Sequence, residues 1–292
     1  MQRRPRISIV GAGNLGTALA MGLHQAGYVI DQIVFGNGGA SRRKARALAK
    51  RVGARAEAIS LAAFDADVVW FCVPDDAIAE VAGSFEQKAD WKGRIALHSS
   101  GALTSDELAV LRRRGAQVAS VHPMMTFVAG VAPSLAGVSF AIEGDDVAVR
   151  TSRAIVKRLG GEAFAIRRQD KVAYHAWGTF ASPLLTALLA TTERVAAAAG
   201  ASRREAKRRM LPILRRTLAN YAAQDAGGAF SGPIIRGDVE TIRRHLRVLR
   251  KVPDADEVYA ALAKAAVRYL PGKRKGQVRR LLNGQVRRQK SE

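Results

Sequence analysis

The stretch Val10-Gly11-Ala12-Gly13-Asn14-Leu15-Gly16 constrains the fold of this chain more than any other. It follows the apolar run Ile7-Ser8-Ile9-Val10 and opens a helical pattern at Leu15, Ala18, Leu19, Gly22 and Leu23. The reading is strand, tight turn, helix. The three glycines serve separate physical needs, since Gly11 makes the turn, Gly13 lets backbone approach a pyrophosphate, and Gly16 lets the helix pack close to the strand. Phosphates at such a turn meet free N–H groups and the positive end of the helix dipole. Gly11, Ala12, Gly13, Asn14, Leu15 and Gly16 are therefore expected to line a dinucleotide.

The next strand narrows the cofactor. Residues 29–35, Val-Ile-Asp-Gln-Ile-Val-Phe, read as a strand ending in Gly36-Asn37-Gly38-Gly39. A free ribose 2′-hydroxyl normally meets an acid about 20 residues past the glycines, and none stands there. Ser41-Arg42-Arg43-Lys44 instead starts the following helix, so Ser41 and Arg42 are expected at a 2′-phosphate. NADP is favoured, with NAD the alternative if Ser41 is only a helix cap and the arginines are solvated. The run from Asp67 to Pro74 is almost continuously apolar, as suits a parallel strand covered on both faces. Ligands bind beyond the carboxyl ends of such strands, which places Val73 and Pro74 beside the cofactor and makes Asp75 a helix cap.

Strands at 93–98 and 117–121 end in His98-Ser99-Ser100-Gly101 and His122-Pro123. Both histidines thus stand at strand ends that could face one crevice. Two further strands, at 138–142 and 163–166, flank a helix at 147–159. This alternation implies an α/β fold with a mostly parallel sheet. From Asp170 onward the periodicity is helical. The expected organisation is a Rossmann-type domain over 1–167 and an all-α domain over 168–292. One long helix is expected over 169–199. At 100° per residue, Lys171, His175, Thr179, Ser182 and Thr186 fall at about 0°, 40°, 80°, 20° and 60°, a narrow polar stripe expected to line a cleft. Further helices are expected at 202–223, 238–251 and 254–270, with Asp238 as an N-cap and Arg236 more suited to a surface ion pair than to a substrate. The duplicated Gly-Gln-Val-Arg-Arg at 276–280 and 284–288 suggests a terminal basic amphipathic helix.

Composition sets outer limits. The 292 residues carry 47 Lys+Arg against 25 Asp+Glu, a net of +22. Residues 271–292 contribute +7 of this, and the remainder is spread over helix surfaces. That spread reads as a solvated basic surface and does not make nucleic-acid binding the expected main function. No run approaches the ~18 apolar residues of a membrane span. The basic start runs directly into the glycine turn and makes a poor signal peptide, so a cytoplasmic location is expected. The single cysteine, Cys72, lies inside an apolar strand, excludes an intrachain disulfide and reads as inert. No metal site is expected.

Taken together, these features resemble the superfamily of 6-phosphogluconate dehydrogenase, 3-hydroxyisobutyrate dehydrogenase and pyrroline-5-carboxylate reductase. Within it, the chain resembles the Rossmann-like oxidoreductases with a C-terminal helical domain of unknown function. The resemblance rests on the glycine turn, Val73-Pro74-Asp75-Asp76, His98-Ser99-Ser100-Gly101-Ala102-Leu103, His122-Pro123, Asp170-Lys171 to His175, and Gly232-Pro233 to Arg236-Gly237-Asp238. It implies that Lys171 is the acid or base and that Ser100-Gly101 meets the substrate. His175 replaces an asparagine of the hydroxyacid dehydrogenases, so it is a second candidate for proton transfer. His122 is expected to orient the substrate. A homodimer is implied by the same resemblance. The expected function is NADP-dependent hydride transfer to or from a small carbonyl, hydroxyl or imine substrate. The alternative is a non-catalytic NADP-binding scaffold that holds a partner or nucleic acid on its basic surface.

Overall fold

A computed structural model describes residues 4–289. The chain divides into two compact units, 1–182 and 183–292.

Unit 1 is built on eight strands: β1 (Ile7–Val10), β2 (Ile30–Phe35), β3 (Arg55–Ala58), β4 (Val68–Phe71), β5 (Ile95–His98), β6 (Gln117–Pro123), β7 (Ser139–Gly144) and β8 (Glu162–Ala165). Their order is β3-β2-β1-β4-β5-β6-β7-β8. Every neighbouring pair is parallel except β6–β7. The order reverses between β1 and β4, which is the switch point where doubly wound sheets bind ligands. Alternate residues feed opposite faces, as strand geometry requires. Ile9 and Trp70 join the core under helices α1 (Asn14–Gln25), α2 (Gly39–Val52) and α5 (Asp146–Arg158), whereas Val10 and Phe71 join the core under α3 (Ile78–Ser84) and α4 (Ala109–Arg113).

Three details depart from the sequence reading. Helix α2 starts at Gly39 with Gly38 in the N-cap position, so Ser41 is its third residue and not its cap. β3 gave no hydrophobic pattern: its residues are Arg-Ala-Glu-Ala, at most half-buried, and it pairs along β2 at the edge of the sheet. The long helix expected over 169–199 is broken. α6 (Lys171–Ala181) ends at Ser182, whose φ of −127° and ψ of −76° are not helical, and α7 (Pro183–Ala198) starts afresh. Pro183 causes this, because proline lacks an N–H and pushes the residue before it out of the α region. α6 thereby belongs to unit 1 although the sequence reading assigned it to the helical half. The polar stripe is correspondingly cut after Thr179.

Unit 2 contains α7, α8 (Arg203–Ala223), the single turns α9 (Ala226–Ala229) and α10 (Pro233–Arg236), then α11 (Val239–Leu249), α12 (Ala255–Tyr269) and α13 (Lys275–Gln289). A capping box between Ser202 and Glu205 starts α8. Asp238 holds the N-cap position of α11, but its carboxylate pairs with Arg236 at 2.8 Å and caps nothing. Ile242, Leu246, Ala263, Val267, Val278 and Leu282 form the core where α11, α12 and α13 meet. Among the described residues, no helix is long and apolar enough to cross a membrane.

Candidate active site

The glycine turn is held by contacts that leave no space for side chains at two of its three glycines. Gly11 has φ +106°, and a Cβ there would stand 2.5 Å from the Cys72 carbonyl oxygen. On Gly16 a Cβ would stand 2.0 Å from the Gly11 oxygen. Close packing of α1 on β1 and β4 therefore dictates both. Gly13 is different, since a Cβ there meets nothing within 4 Å. It is the N-cap of α1 and gives no side-chain cap to the first-turn N–H groups, so that helix end retains its capacity for an anion. The fold does not require glycine at 13, whereas close backbone approach of a ligand does. The turn thus fits a pyrophosphate. Cys72 is buried, and burial pushes its thiol pKa well up, leaving an inert thiol.

Ser41 and Arg42 lie on the first turn of α2, past the carboxyl end of β2, where Arg42 is exposed. The acid within β2, Asp31, is buried near the opposite end of the strand and pairs with Arg6 and Arg55. It is not a ribose acceptor. Val73 and Pro74 follow β4 directly, with Val73 half-buried and Pro74 exposed. Asp75 begins a single 3₁₀ turn and accepts the Ser100 hydroxyl at 2.7 Å. It is a partner of the next strand end, not the cap expected from the sequence.

Beyond β5 and β6 the polar groups converge. Ser100, expected to meet the substrate, is 3% exposed. Its hydroxyl donates to Asp75 and accepts from the N–H groups of Ala102 and Leu103 at 3.2 and 2.9 Å. These bonds commit it to shaping the turn. His98 is fully buried, accepts the Ser100 N–H on Nδ1 and gives its Nε2 hydrogen to the Thr104 carbonyl. Burial lowers its pKa to about 4, so it is a neutral brace for the same loop.

Lys171, at the start of α6, is fully buried. Its Nζ donates to the Ser120 hydroxyl at 2.7 Å and to the Ser100 carbonyl at 3.1 Å. Burial lowers its pKa to about 8, opposed by the charges of Glu143 and Asp75. One turn later on the same face, the buried Tyr174 hydroxyl lies 2.8 Å from His122 Nδ1. His122 is half-buried, and its pKa falls to about 4, through burial first and then the positive charge of Lys171. The exposed His175 ring crosses that of His122 edge-on, with centroids 6.0 Å apart. Gly101 lies against both rings: a Cβ there would be 2.6 Å from His175 and 2.9 Å from His122 Nε2. The segment after β6 also reaches the glycine turn, through a 3.1 Å bond from Asn14 Nδ2 to the Phe127 carbonyl.

A charged cluster anchors the entry to α6. Arg168 pairs with Asp106 at 2.9 Å and with the buried Glu143 at 3.2 Å. Glu143 also accepts the Ser105 N–H and hydroxyl. Sequence reasoning missed Tyr174, Ser120, Glu143 and Arg168. For Tyr174 a signal existed, since a spacing of three from Lys171 puts both on one helical face.

The switch-point sheet, the glycine turn and the polar strand ends define a Rossmann-type α/β protein with a separate helical unit. Residues 1–123 match the Rossmann-like domain, and residues 138–266 match the Domain of unknown function (DUF2520). The chain thus carries the pairing of domains that its sequence resembled. Among solved structures, a candidate NADP oxidoreductase from Bacteroides fragilis is similar with a TM-score of 0.76 and 22% identity, over 89% of this chain and 97% of that one. A Thermotoga maritima protein gives a TM-score of 0.68 at 23% identity, over 96% and 99% of the two chains. A reductive aminase from Aspergillus terreus, solved with NADPH and ethyl-5-oxohexanoate, gives 0.65 at 16% identity, over 94% and 99%. These likenesses show a shared fold. A search of curated proteins returns no match.

Proposed function

We propose that the protein is an NADP-dependent oxidoreductase that moves hydride between the nicotinamide and a small carbonyl, hydroxyl or imine carbon. The observation that carries this reading is the meeting of His122, His175 and Gly101 at the strand ends, within reach of a turn whose Gly13 is spared for a ligand. The similar folds solved as a candidate NADP oxidoreductase and as a reductive aminase support it.

The backbone from Gly11 to Gly16 would hold the pyrophosphate, Ser41 and Arg42 the 2′-phosphate, and Val73 and Pro74 the nicotinamide side. The bound cofactor supplies the hydride. The protein's residues handle the proton. With its pKa near 4, His122 is neutral at physiological pH. Tyr174 donates to Nδ1 in this reading, which leaves the hydrogen on Nε2, the nitrogen beside Gly101. That N–H donates to the carbonyl oxygen or imine nitrogen and polarises it. His175, the exposed neighbour, gives the proton that completes the alcohol or amine, as general acids do. Lys171 has no exposure and acts through His122, adding its charge to the burial that lowers the His122 pKa. Ser100 shapes the loop that presents Gly101.

Unit 2 supports a homodimer. α7 contributes no buried residue and α8 only Ala206, while Ile213, Leu218 and Tyr221 are each 60% exposed or more. A second copy covering these helices accounts for that apolar surface. The proposed setting is the cytoplasm, where NADPH and small metabolites meet.

Calorimetric titration tests the cofactor assignment. NADPH should bind at least about tenfold more tightly than NADH, a difference of about 1.4 kcal/mol, and Arg42→Gln should bring the two close to parity. Equal affinity in the unaltered protein contradicts the assignment. Tight binding with no turnover on any ketone or imine would favour the scaffold instead.

A further inference from the structure

Charge is divided very unequally between the two units. Unit 2 holds 24 Lys+Arg against 9 Asp+Glu, a net of +15, and unit 1 holds the remaining +7 in the longer segment. Nothing in the oxidoreductase reading uses this excess. Three of these cations line a groove of about 360 Å³ along α12 and α13.

The groove has an apolar floor of Val267 and Leu282, both buried in the helix core. Its walls are polar. Lys264 and Arg268 stand one helical turn apart on α12, and Arg279 and Asn283 one turn apart on α13. Among the described residues, none of the three cations forms an ion pair. At one end Tyr269 is 74% exposed, with the Arg268 guanidinium 5.9 Å from its ring centroid.

We infer that this α12–α13 groove binds single-stranded nucleic acid. Cations on both walls suit a phosphate backbone, and an exposed ring flanked by a guanidinium suits an unstacked base, the combination that single-strand binders use. Asn283 adds an amide able to donate to and accept from a base edge. The channel lies between two helices and suits a strand lying along it, whereas a lipid surface is broad and lacks a reason for the recessed floor. The site is separate from the oxidoreductase residues, all of which lie in unit 1.

Fluorescence anisotropy of the full chain with labelled 12-mers of oligo(U) and oligo(dT) tests the inference. Three variants complete the design: Lys264→Gln/Arg268→Gln/Arg279→Gln in the groove, Arg150→Gln/Arg153→Gln/Lys157→Gln on the exposed side of α5 as an equal change of charge elsewhere, and Tyr269→Ala. The groove triple should weaken binding at least tenfold and reduce the salt slope by about 2, since each phosphate contact on a single strand contributes about 0.7. The α5 triple should change affinity less than threefold. Tyr269→Ala should lose about 5- to 150-fold through stacking while the salt slope stays unchanged. A preference between the RNA and DNA oligomers identifies which source of the strand is bound. Equal losses in the two triples, an unaffected Tyr269→Ala, or binding that anionic phosphatidylglycerol vesicles abolish and duplex RNA matches would overturn the inference.

Discussion

Lys171 is enclosed on all sides yet gives two hydrogen bonds, to Ser120 and to the Ser100 carbonyl. A lysine so placed exerts charge without touching a ligand, and His98 and His122 both respond to it, of which only His122 is partly exposed. Burial is the larger cause of the low His122 pKa, and Lys171 the second. Replacement of Lys171 by methionine should therefore raise the His122 pKa from about 4 by roughly one unit or more, with burial still holding it below the ordinary imidazole value, since a neighbouring charge shifts a pKa by about 1 to 3 units. The sign follows directly: removing a positive neighbour makes the imidazole easier to protonate. Because the reaction needs neutral His122, the acid limb of kcat/KM should move to higher pH by the same amount. An NMR titration of the His122 ring reads this shift separately from turnover. An unmoved titration in a folded Lys171→Met protein would assign the lysine a packing role only. Lys171 was legible as a residue of interest from the polar stripe it heads, and its acid or base role came from the resemblance alone. Its burial was not legible, because Ser100 and Ser120 lie 71 and 51 residues away in the chain.

At the scale of elements, the strand–turn–helix at the start of the chain was legible because its signals are local. An apolar run gives β1, and three glycines at fixed offsets give the turn. The strands that end in Pro74, His98 and His122 were equally readable from apolar runs. Elements whose existence depends on partners were not. β3 forms because β2 offers a free edge, and nothing in Arg-Ala-Glu-Ala announces a strand. The break between α6 and α7 carries a local signal in Pro183, which the expectation of one helix over 169–199 left out of account. Two glycine substitutions separate what the turn does for the fold from what it does for the ligand. Gly16→Ala should lower stability by about 1–3 kcal/mol, as overpacking typically does, because its Cβ has only 2.0 Å to the Gly11 oxygen. Gly13→Ser introduces a good N-cap into open space, so stability should hold or rise within about 1 kcal/mol. NADPH affinity should nevertheless fall about tenfold or more, a loss of about 1.4 kcal/mol. Denaturant unfolding and titration of both variants check the pair, and a Gly13→Ser protein that binds as well as the original would remove the pyrophosphate from this turn.

At the scale of the whole molecule, two units carry two kinds of surface. Unit 1 gathers its uncommon groups at the carboxyl ends of β1, β4, β5 and β6, as a switch-point sheet directs. Unit 2 leaves long helices with little buried surface of their own and spreads positive charge over them. Such helices seldom hold their form without a covering partner, because isolated helical stability in water is marginal and packing supplies most of it. Light scattering should accordingly give the mass of two 31.3 kDa chains, and a single-chain mass at micromolar concentration would reject the homodimer. The chemistry in unit 1 is the central claim. Its most direct measurement is deuterium transfer from NADPH labelled at C4, supplied as each epimer in turn, to a panel of small cyclic imines and ketones. Transfer of deuterium from one epimer only to the substrate carbon, lost when His122 and His175 are both replaced by asparagine, is the predicted result. Bound NADPH that yields no labelled product from any substrate, or transfer that persists undiminished in the double variant, would contradict it.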